Sequence, residues 1–332
     1  MKFLRVAGSL IILFCIAFTI FYGAGKISEG KSYEQPAEYK GVLTLWHIET
    51  FEGGQGSRKQ FLLDVASDFE KNNEGVLVMV VSHTTVSATK NMEDGIYPDM
   101  ISYGTGTFFG GMKELSVNLD FSGGAVGDKT YALPWCRGGY VLYSNPKLVT
   151  KDGTYGKIVI SQGNSNLPLA SLCLEEGLSF SEIETKTPLE AYIKFVEGKT
   201  PYFLGTQRDA VRFSNRGFTV HSKPLTAFND LYQYISLTST DELKLAYSEK
   251  FIDFLLSENV QKKLPKIAML SEFYDNTYDL ETLNLMQGVT GFSTISAFSS
   301  GELIEDIRSN ALNAVNGDKD ALAKIKNVLI LP

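Results

Sequence analysis

Cysteine and histidine are scarce, three of each in 332 residues, and none sits in a paired spacing. That excludes a disulfide scaffold, argues against a zinc site, and leaves no metal or cofactor to expect. Basic charge is also in short supply. Lys+Arg number 31 against 38 Asp+Glu, a formal net charge of −7. Such a chain lacks the electrostatic footprint of a phosphate-backbone binder, so nucleic acid is excluded as a partner. No Gly-x-Ser-x-Gly elbow, His-Glu-x-x-His pair or Ser/His/Asp context is readable, and no enzyme is expected. Carboxylate pairs for glycoside hydrolysis meet only in space and stay open at this level. Gly104-Thr105-Gly106 lacks the third glycine of a dinucleotide fingerprint. The segment 53–58 (GGQGSR) lacks the Gly-Lys-Ser/Thr ending of a P-loop, although a glycine-rich turn before a helix can present N–H groups to a polar solute. No repeat of 20–50 residues occurs. What remains is ordinary globular material, with 44% hydrophobic, 21% charged and 12% aromatic residues.

The N-terminus departs from that average. After Lys2 and Arg5, residues 6–24 run without a charge, long enough at about 1.5 Å per residue to match a bilayer core of about 30 Å. The basic start keeps residues 1–5 in the cytoplasm and sends the rest outward. Residues 1–25 therefore read as a signal or anchor segment. The run length favours a retained anchor, and Gly23 and Gly25 leave cleavage after Gly25 as the other reading. Residues 26–40 are polar and aperiodic, a linker. The folded part is expected outside the cytoplasm, membrane-anchored or secreted.

Beyond the linker the pattern is α/β. Residues 41–46 (GVLTLW) form a short apolar run, a strand. Ser57 is an N-cap, and Phe61, Leu62, Val65, Ala66 and Phe69 make one helical face over 58–72. Residues 76–81 (VLVMVV) read as a strand buried on both faces; a short helix over 86–94 and a third strand over 99–103 follow. Ligands in such open sheets sit at the carboxyl ends of the strands. Residues 130–144 are an extended run broken by Pro134 and Gly138-Gly139, a crossover. Thr187-Pro188-x-Glu190 opens a helix with a capping box, and Ser239-x-x-Glu242 predicts a second. Short strands are read at 158–160, 201–205 and 218–220, a helix at 206–213, and two closing helices over 302–316 and 318–328.

Several stretches in this order resemble one family. They are GVLTLWHIETFEGGQGSRKQFLLDVASDFEKNNEGVLV, YPDMISYG, YALPWCRGGYVLYSN, VEGKTPYFLGTQRDAVR, AFNDLYQYISL and FIDFLLSENVQKKL. The sequence resembles bacterial extracellular solute-binding proteins of the maltose-binding-like family, the capture components of ABC importers. The resemblance implies a two-lobed periplasmic-binding-protein-like α/β fold with a hinge and an inter-lobe cleft. Lobe 1 would comprise 41–133 and 222–275, and lobe 2 would comprise 134–221 and 276–332, with crossovers at 132–139 and 219–225. It implies capture of a solute, a carbohydrate by that likeness, through hinge closure, and delivery to the membrane permease subunits of an importer for sugar transport. The alternative is a membrane-anchored sensor or accessory protein that uses the same fold for signalling. The segment 145–195 is shorter than usual for the family and lacks its Pro-x-x-Trp helix start.

The candidate ligand residues follow from position and chemistry. Trp46 ends the first strand and Trp135 sits in the first crossover; an indole there suits stacking on a sugar ring. Arg137 would return to the same side as Trp135, with Cys136 pointing the other way. His47 and Glu49 follow the first strand, His83 ends the second and Tyr103 the third. Arg137 and Arg208 fall at lobe edges, where a guanidinium can clamp hydroxyls or a carboxylate. Each has a plainer alternative: core packing for the tryptophans, a solvated loop for Glu49, an ion pair for either arginine. Asp99, after Pro98, reads as structural. Whether Cys136 and Cys173 pair stays open, with free buried thiols the expectation.

Overall fold

The computed structural model describes residues 39–50, 56–107, 109–149 and 155–331. The N-terminal segment 1–25, most of the linker and residues 51–55 of the glycine-rich loop lie outside them. The described residues fall in one compact unit, Tyr39–Pro332. No helix among them is long and apolar enough to cross a membrane.

Strand β1, Gly41–Ile48, leads through the glycine-rich loop to helix α1, Arg58–Lys71. Ser57 caps the helix by accepting from the Gln60 N–H, and its apolar stripe buries Phe61, Leu62, Val65, Ala66 and Phe69. Then come β2 (Val76–His83), α2 (Thr85–Glu93), β3 (Met100–Gly104), a small hairpin β4 (Ala125–Val126) and β5 (Lys129–Thr130), β6 (Leu133–Arg137) and β7 (Tyr140–Ser144). The second half of the chain adds β8 (Tyr155–Ser161), α3 (Pro168–Leu174), β9 (Phe180–Lys186), α4 (Pro188–Val196), β10 (Tyr202–Thr206), α5 (Gln207–Asn215) and β11 (His221–Pro224). It closes with β12 (Tyr232–Leu237), α6 (Glu242–Leu256), α7 (Glu258–Gln261), α8 (Glu281–Gln287), α9 (Gly301–Val315) and α10 (Lys319–Lys326).

These strands make two mixed five-stranded sheets. The first has the order β2-β1-β3-β12-β6 and the second β11-β7-β10-β8-β9. In the first sheet β1 pairs parallel to β2 and β3, while β12 runs antiparallel between β3 and β6. In the second, β8 pairs parallel with β9 and β10, and β7 is antiparallel to β10 and β11. Each sheet is buried on both faces over most of its width. Helices α1 and α6 cover one face of the first, with Leu43, Leu45, Phe61, Phe69, Trp135 and Phe251 in one core. Helix α4 covers one face of the second through Ala191, Tyr192 and Phe195, and α3 and α9 cover the other through Leu169, Ile304 and Ile307.

Two sequence readings change here. Strand β2 is not buried on both faces. It is the edge of its sheet, and its outward residues Leu77 and Met79 are 54% and 50% exposed. Continuous apolar sequence does not reveal that no element covers one face of an edge. The Glu70 carboxylate accepts from the Val78 N–H at 2.8 Å, which occupies one edge donor that another strand would otherwise use. We expect Leu77→Thr to change unfolding free energy by less than about 0.5 kcal/mol, as at other surface positions; a urea melt costing several times that would show the face to be covered. The second capping box also moves. Helix α6 is capped by Asp241, which accepts from the Lys244 N–H. Ser239 instead donates to Asp99 at 3.1 Å. Asp99 further accepts from the Thr44 N–H and hydroxyl and from Lys244, so the Pro98-Asp99 pair clamps β1, β3 and α6 at the end of the sheet remote from the loops that follow β1 and β3.

The chain passes between the sheets at three places. The first is Gly138-Gly139, between β6 and β7, so the whole of 133–137 stays with the first sheet. The second is 225–231. The stretch 218–220 forms no strand, and β11 instead pairs antiparallel with β7 in the second sheet, which moves the crossover C-terminal to 219–225. The third is at Leu270, which exchanges two 2.9 Å backbone hydrogen bonds with Arg137. Gly138 and Gly139 are absent from the residues with positive φ. Packing is close at Gly139, where an added Cβ would stand 1.9 Å from the Met286 methyl and displace the end of that side chain. Cys136 lies in the first core and Cys173 beside the second, and they are not bonded to each other.

Candidate functional site

The carboxyl ends of β1, β8 and β10 converge, and the loops that follow them enclose a cavity of about 260 Å³. From the first half come Glu49 and Thr50; from the second come Ser161, the turn 163–166, Thr206, and Asp209 and Arg212 of α5. Local sequence explains the second wall. Thr206 and Asp209 form a capping box that opens α5, which fixes the Asp209 carboxylate against the Thr206 N–H at 2.9 Å. Asp209 also accepts from Arg212 at 3.0 Å, and Arg212 lies 3.7 Å above the Tyr192 ring. Burial raises the Asp209 pKa, while the Thr206 N–H and Arg212 oppose that shift. The turn is held from outside by Arg308, which donates to the Asn164 carbonyl at 2.8 Å. Asn166 accepts from the Gly163 N–H at 2.7 Å. The two walls are tied together where Arg208, buried in α5, donates from Nη2 to the Gly56 carbonyl ahead of α1.

Comparison with solved structures identifies the fold that carries this cavity. MalE from Xanthomonas citri aligns at a TM-score of 0.62 and 13% identity, over 87% of this chain and 96% of that one. The GacH receptor of Streptomyces glaucescens aligns at 0.58 and 16% identity, over 87% and 97%. Iron-bound HitA from Pseudomonas aeruginosa aligns at 0.55 and 15%, over 83% and 98%. The chain has the two-lobed fold of solute-binding proteins. No protein-family model and no curated protein matches the sequence. At these identities the likeness establishes architecture alone. The three neighbours' names already span sugars and iron, so the fold by itself does not choose a ligand.

The two-lobed fold places the sequence candidates unevenly. Glu49 lines the cleft and is exposed. Arg208 spans the two walls but spends Nη2 on the Gly56 carbonyl. Trp135 is fully buried, stacked on Phe61 at 5.7 Å with its indole N–H donated to Ser102 at 2.9 Å. It has no ring face for a solute. All five residues of β6, Cys136 and Arg137 among them, are buried. Trp46 is 6% exposed and packs on the His83 ring at 4.4 Å. His83 keeps a partner in Ser87 at 3.2 Å, and burial lowers its pKa. His47 is buried beside Ser102 at 3.2 Å. Tyr103 is buried with Tyr234, and burial raises its pKa. Arg137 is buried against Glu272, Nε to Oε2 2.9 Å, and lines a different cavity. Strand ends in this lobe therefore turn their large side chains into the core. The residues just beyond them, Thr50 among them, face the cleft.

Thr50, Ser161, Asn164, Asn166, Thr206, Asp209 and Arg212 were not sequence candidates. The Thr206-x-x-Asp209 signature directly after a strand was the readable signal for two of them. The turn 163–166 carries no signal beyond its polarity.

Beneath the cleft runs a buried polar network. Arg58 donates to the Gln233 side-chain oxygen at 2.9 Å and to the Thr50 carbonyl. Gln233 donates to Ser102 at 3.0 Å, and Thr50 donates to Gln233 at 2.9 Å. These bonds fix the backbone of Thr50, and so the first wall of the cleft, to the middle of the first sheet.

Proposed function

We propose that the chain is an extracytoplasmic solute-binding protein that captures a small polar solute in the cleft by hinge closure. The observation that carries this reading is the cavity itself. Polar groups from both halves converge at the carboxyl ends of parallel strands, and three crossovers join those halves. A ligand that contacts both walls favours the state in which they are close. Delivery to the permease subunits of an ABC importer, and an N-terminal segment that either holds the protein at the membrane or is removed, complete the proposal. The uncharged run at 6–24 and the fold are what support them. The neighbours' sugars make carbohydrate the first class to test. No aromatic ring is among the described lining residues, and the volume lies just under the usual range for small-molecule sites, about 300–1,000 Å³. That lining favours a compact hydroxylated solute, hydrogen-bonded from both sides, over a stacked oligosaccharide.

A solute panel read by thermal shift tests the reading, because a ligand of the folded state raises the melting temperature. Asn164→Ala and Glu49→Gln should each weaken the solute found this way by roughly tenfold, about 1.4 kcal/mol, with the unliganded melting temperature little changed. Small-angle scattering should show compaction on saturation. A solute that binds both variants as it binds wild type would place the site elsewhere.

A further inference from the structure

Two buried carboxamides knit the first crossover to the other two. Every backbone polar group of Gly138 and Gly139 has a partner. The Gly138 N–H donates to the Leu231 carbonyl at 2.6 Å, and the Gly139 carbonyl accepts from the Gln207 N–H at 3.1 Å. Side chains meet the remaining two groups. Asn229, in the second crossover, donates from Nδ2 to the Gly138 carbonyl at 3.1 Å. Gln207, the first residue of α5, accepts from the Gly139 N–H through Oε1 at 2.9 Å. The same carboxamide donates from Nε2 to the Ala268 carbonyl at 3.0 Å and to Met269 Sδ at 3.5 Å, just ahead of the third crossover. Asn229 and Gln207 are both 0% exposed. Ala268 is the one non-glycine with positive φ among the described residues, at 53°, a conformation that persists only where its surroundings hold it. Gln207 thus grips the first and third crossovers at once. It falls in sequence between Thr206 and Asp209, which line the cleft, without lining the cleft itself.

We propose that Gln207 is a positioning residue for solute capture: its carboxamide holds the hinge at the angle that brings the two walls of the cleft together before any solute arrives. This rests on the reading of the cleft as a capture site. Arg208, the next residue, reaches the Gly56 carbonyl on the opposite wall, so the arrangement that Gln207 fixes is one in which the walls already touch. An amide oxygen only accepts and an amide NH2 only donates. The Gly139 N–H and the Ala268 carbonyl therefore set which way the carboxamide points. A fully satisfied buried network of this kind specifies one geometry. Without the carboxamide, both backbone groups would lose these partners while still buried. Opening the hinge admits water to them, which shifts the resting population toward the open form. The capping box joins Thr206 and Asp209 across Gln207, so the second wall turns with that residue as one piece. The affinity for any solute that bridges the walls then falls by the factor by which the near-closed fraction falls.

The test measures the spacing of the walls in the full chain without solute. Spin labels on keto amino acids at Gln60, beside the first wall, and at Leu189, next to Pro188 of the second, are both exposed. Electron–electron double resonance reads the distance between them. Gln207→Met keeps the length of the side chain and removes its hydrogen bonds. The expected result is a folded variant, by its melting transition, whose distances are longer and more broadly distributed than in wild type. A folded Q207M with the wild-type distribution, or with shorter distances, would make Gln207 a filler of the hinge and overturn the proposal. Should Q207M not fold, hydrogen exchange of the wild-type chain decides. Peptides covering Arg137–Tyr140 should then exchange as slowly as β1 and β10, and fast exchange there would show that nothing holds the crossover. Glucose, mannitol and maltose serve as solute probes. A probe that binds Q207M as tightly as wild type, despite longer distances, would remove the coupling to capture. If Q207M opens and none of these probes closes it, the hold on the hinge stands and the capture reading is the one that fails.

Discussion

Trp135→Ala should lower the unfolding free energy by roughly 3–5 kcal/mol, the range for truncating a core aromatic. The ring has no exposed surface, lies nearly parallel to Phe61 at 12° and 5.7 Å, and gives its N–H to Ser102. Ser102 also receives Gln233 and stands beside His47. Truncation therefore opens a cavity between β6 and α1 and leaves Ser102 one partner short. The backbone carbonyl of Trp135 accepts from Gln261 at 3.0 Å, which ties the same residue to α7. Urea unfolding of wild type and variant measures the loss. Solute affinity, read at a temperature where the variant is folded, should stay within about twofold of wild type. A variant that melted like wild type but bound a hundredfold more weakly would return Trp135 to the ligand.

The second large effect is a dependence of stability on pH. Asp230 lies in the second crossover, 1% exposed, and accepts from the Tyr140 hydroxyl at 2.8 Å and from the Leu167 N–H at 3.0 Å. Burial pushes its pKa from 3.8 up to about 7, against the pull of those two hydrogen bonds and of Arg308. The surrounding Tyr140 and Tyr232 stay neutral throughout this range, since burial raises both. The folded state thus holds the Asp230 proton more tightly than the unfolded chain does. Its contribution is greatest below the unfolded value and is lost as pH rises from about 4 through about 7, by on the order of a few kcal/mol. Asp230→Asn mimics the protonated form. Its amide can donate to the Tyr140 oxygen while its carbonyl accepts from Leu167. The difference in stability, variant minus wild type, should rise between pH 5 and pH 8 and level off above. Asp209 and Glu272, also raised by burial, are common to both proteins and cancel in that difference. A flat difference across the range would show that Asp230 titrates as an ordinary carboxyl.

Local chemistry was legible in the sequence, and coverage was not. The Thr187–Glu190 capping box, the Ser57 cap and the apolar stripe of α1 are properties of a few adjacent residues, and each forms where the pattern puts it. Whether a strand has a covered face is a property of distant segments. Residues 76–81 read as a central strand because all six are apolar, yet β2 is an edge. Trp46 and Trp135 read as stacking plates from their places at a strand end and a crossover, yet His83 and Phe61 come from other elements to cover them. The cleft shows the same division. Glu49 was readable from its place after β1, whereas the opposing wall is assembled from the turn 163–166 and the first turn of α5. Only the pairing of β8 with β10 brings those two together.

The position of β12 governs the order in which this protein can fold as it is made. β12 lies between β3 and β6, but follows the whole of the second sheet in sequence. Until Leu237 has left the ribosome, β3 lacks its antiparallel neighbour on one side and β6 has no strand to pair with at all. The second sheet has no such gap, because all its strands are contiguous between Tyr140 and Pro224. The second sheet can therefore pair all its strands first, while α9, which covers one of its faces, is made only after β12. The first sheet waits with an open edge, closes slowly because its last pairing is long-range, and exposes that edge to aggregation in the interval.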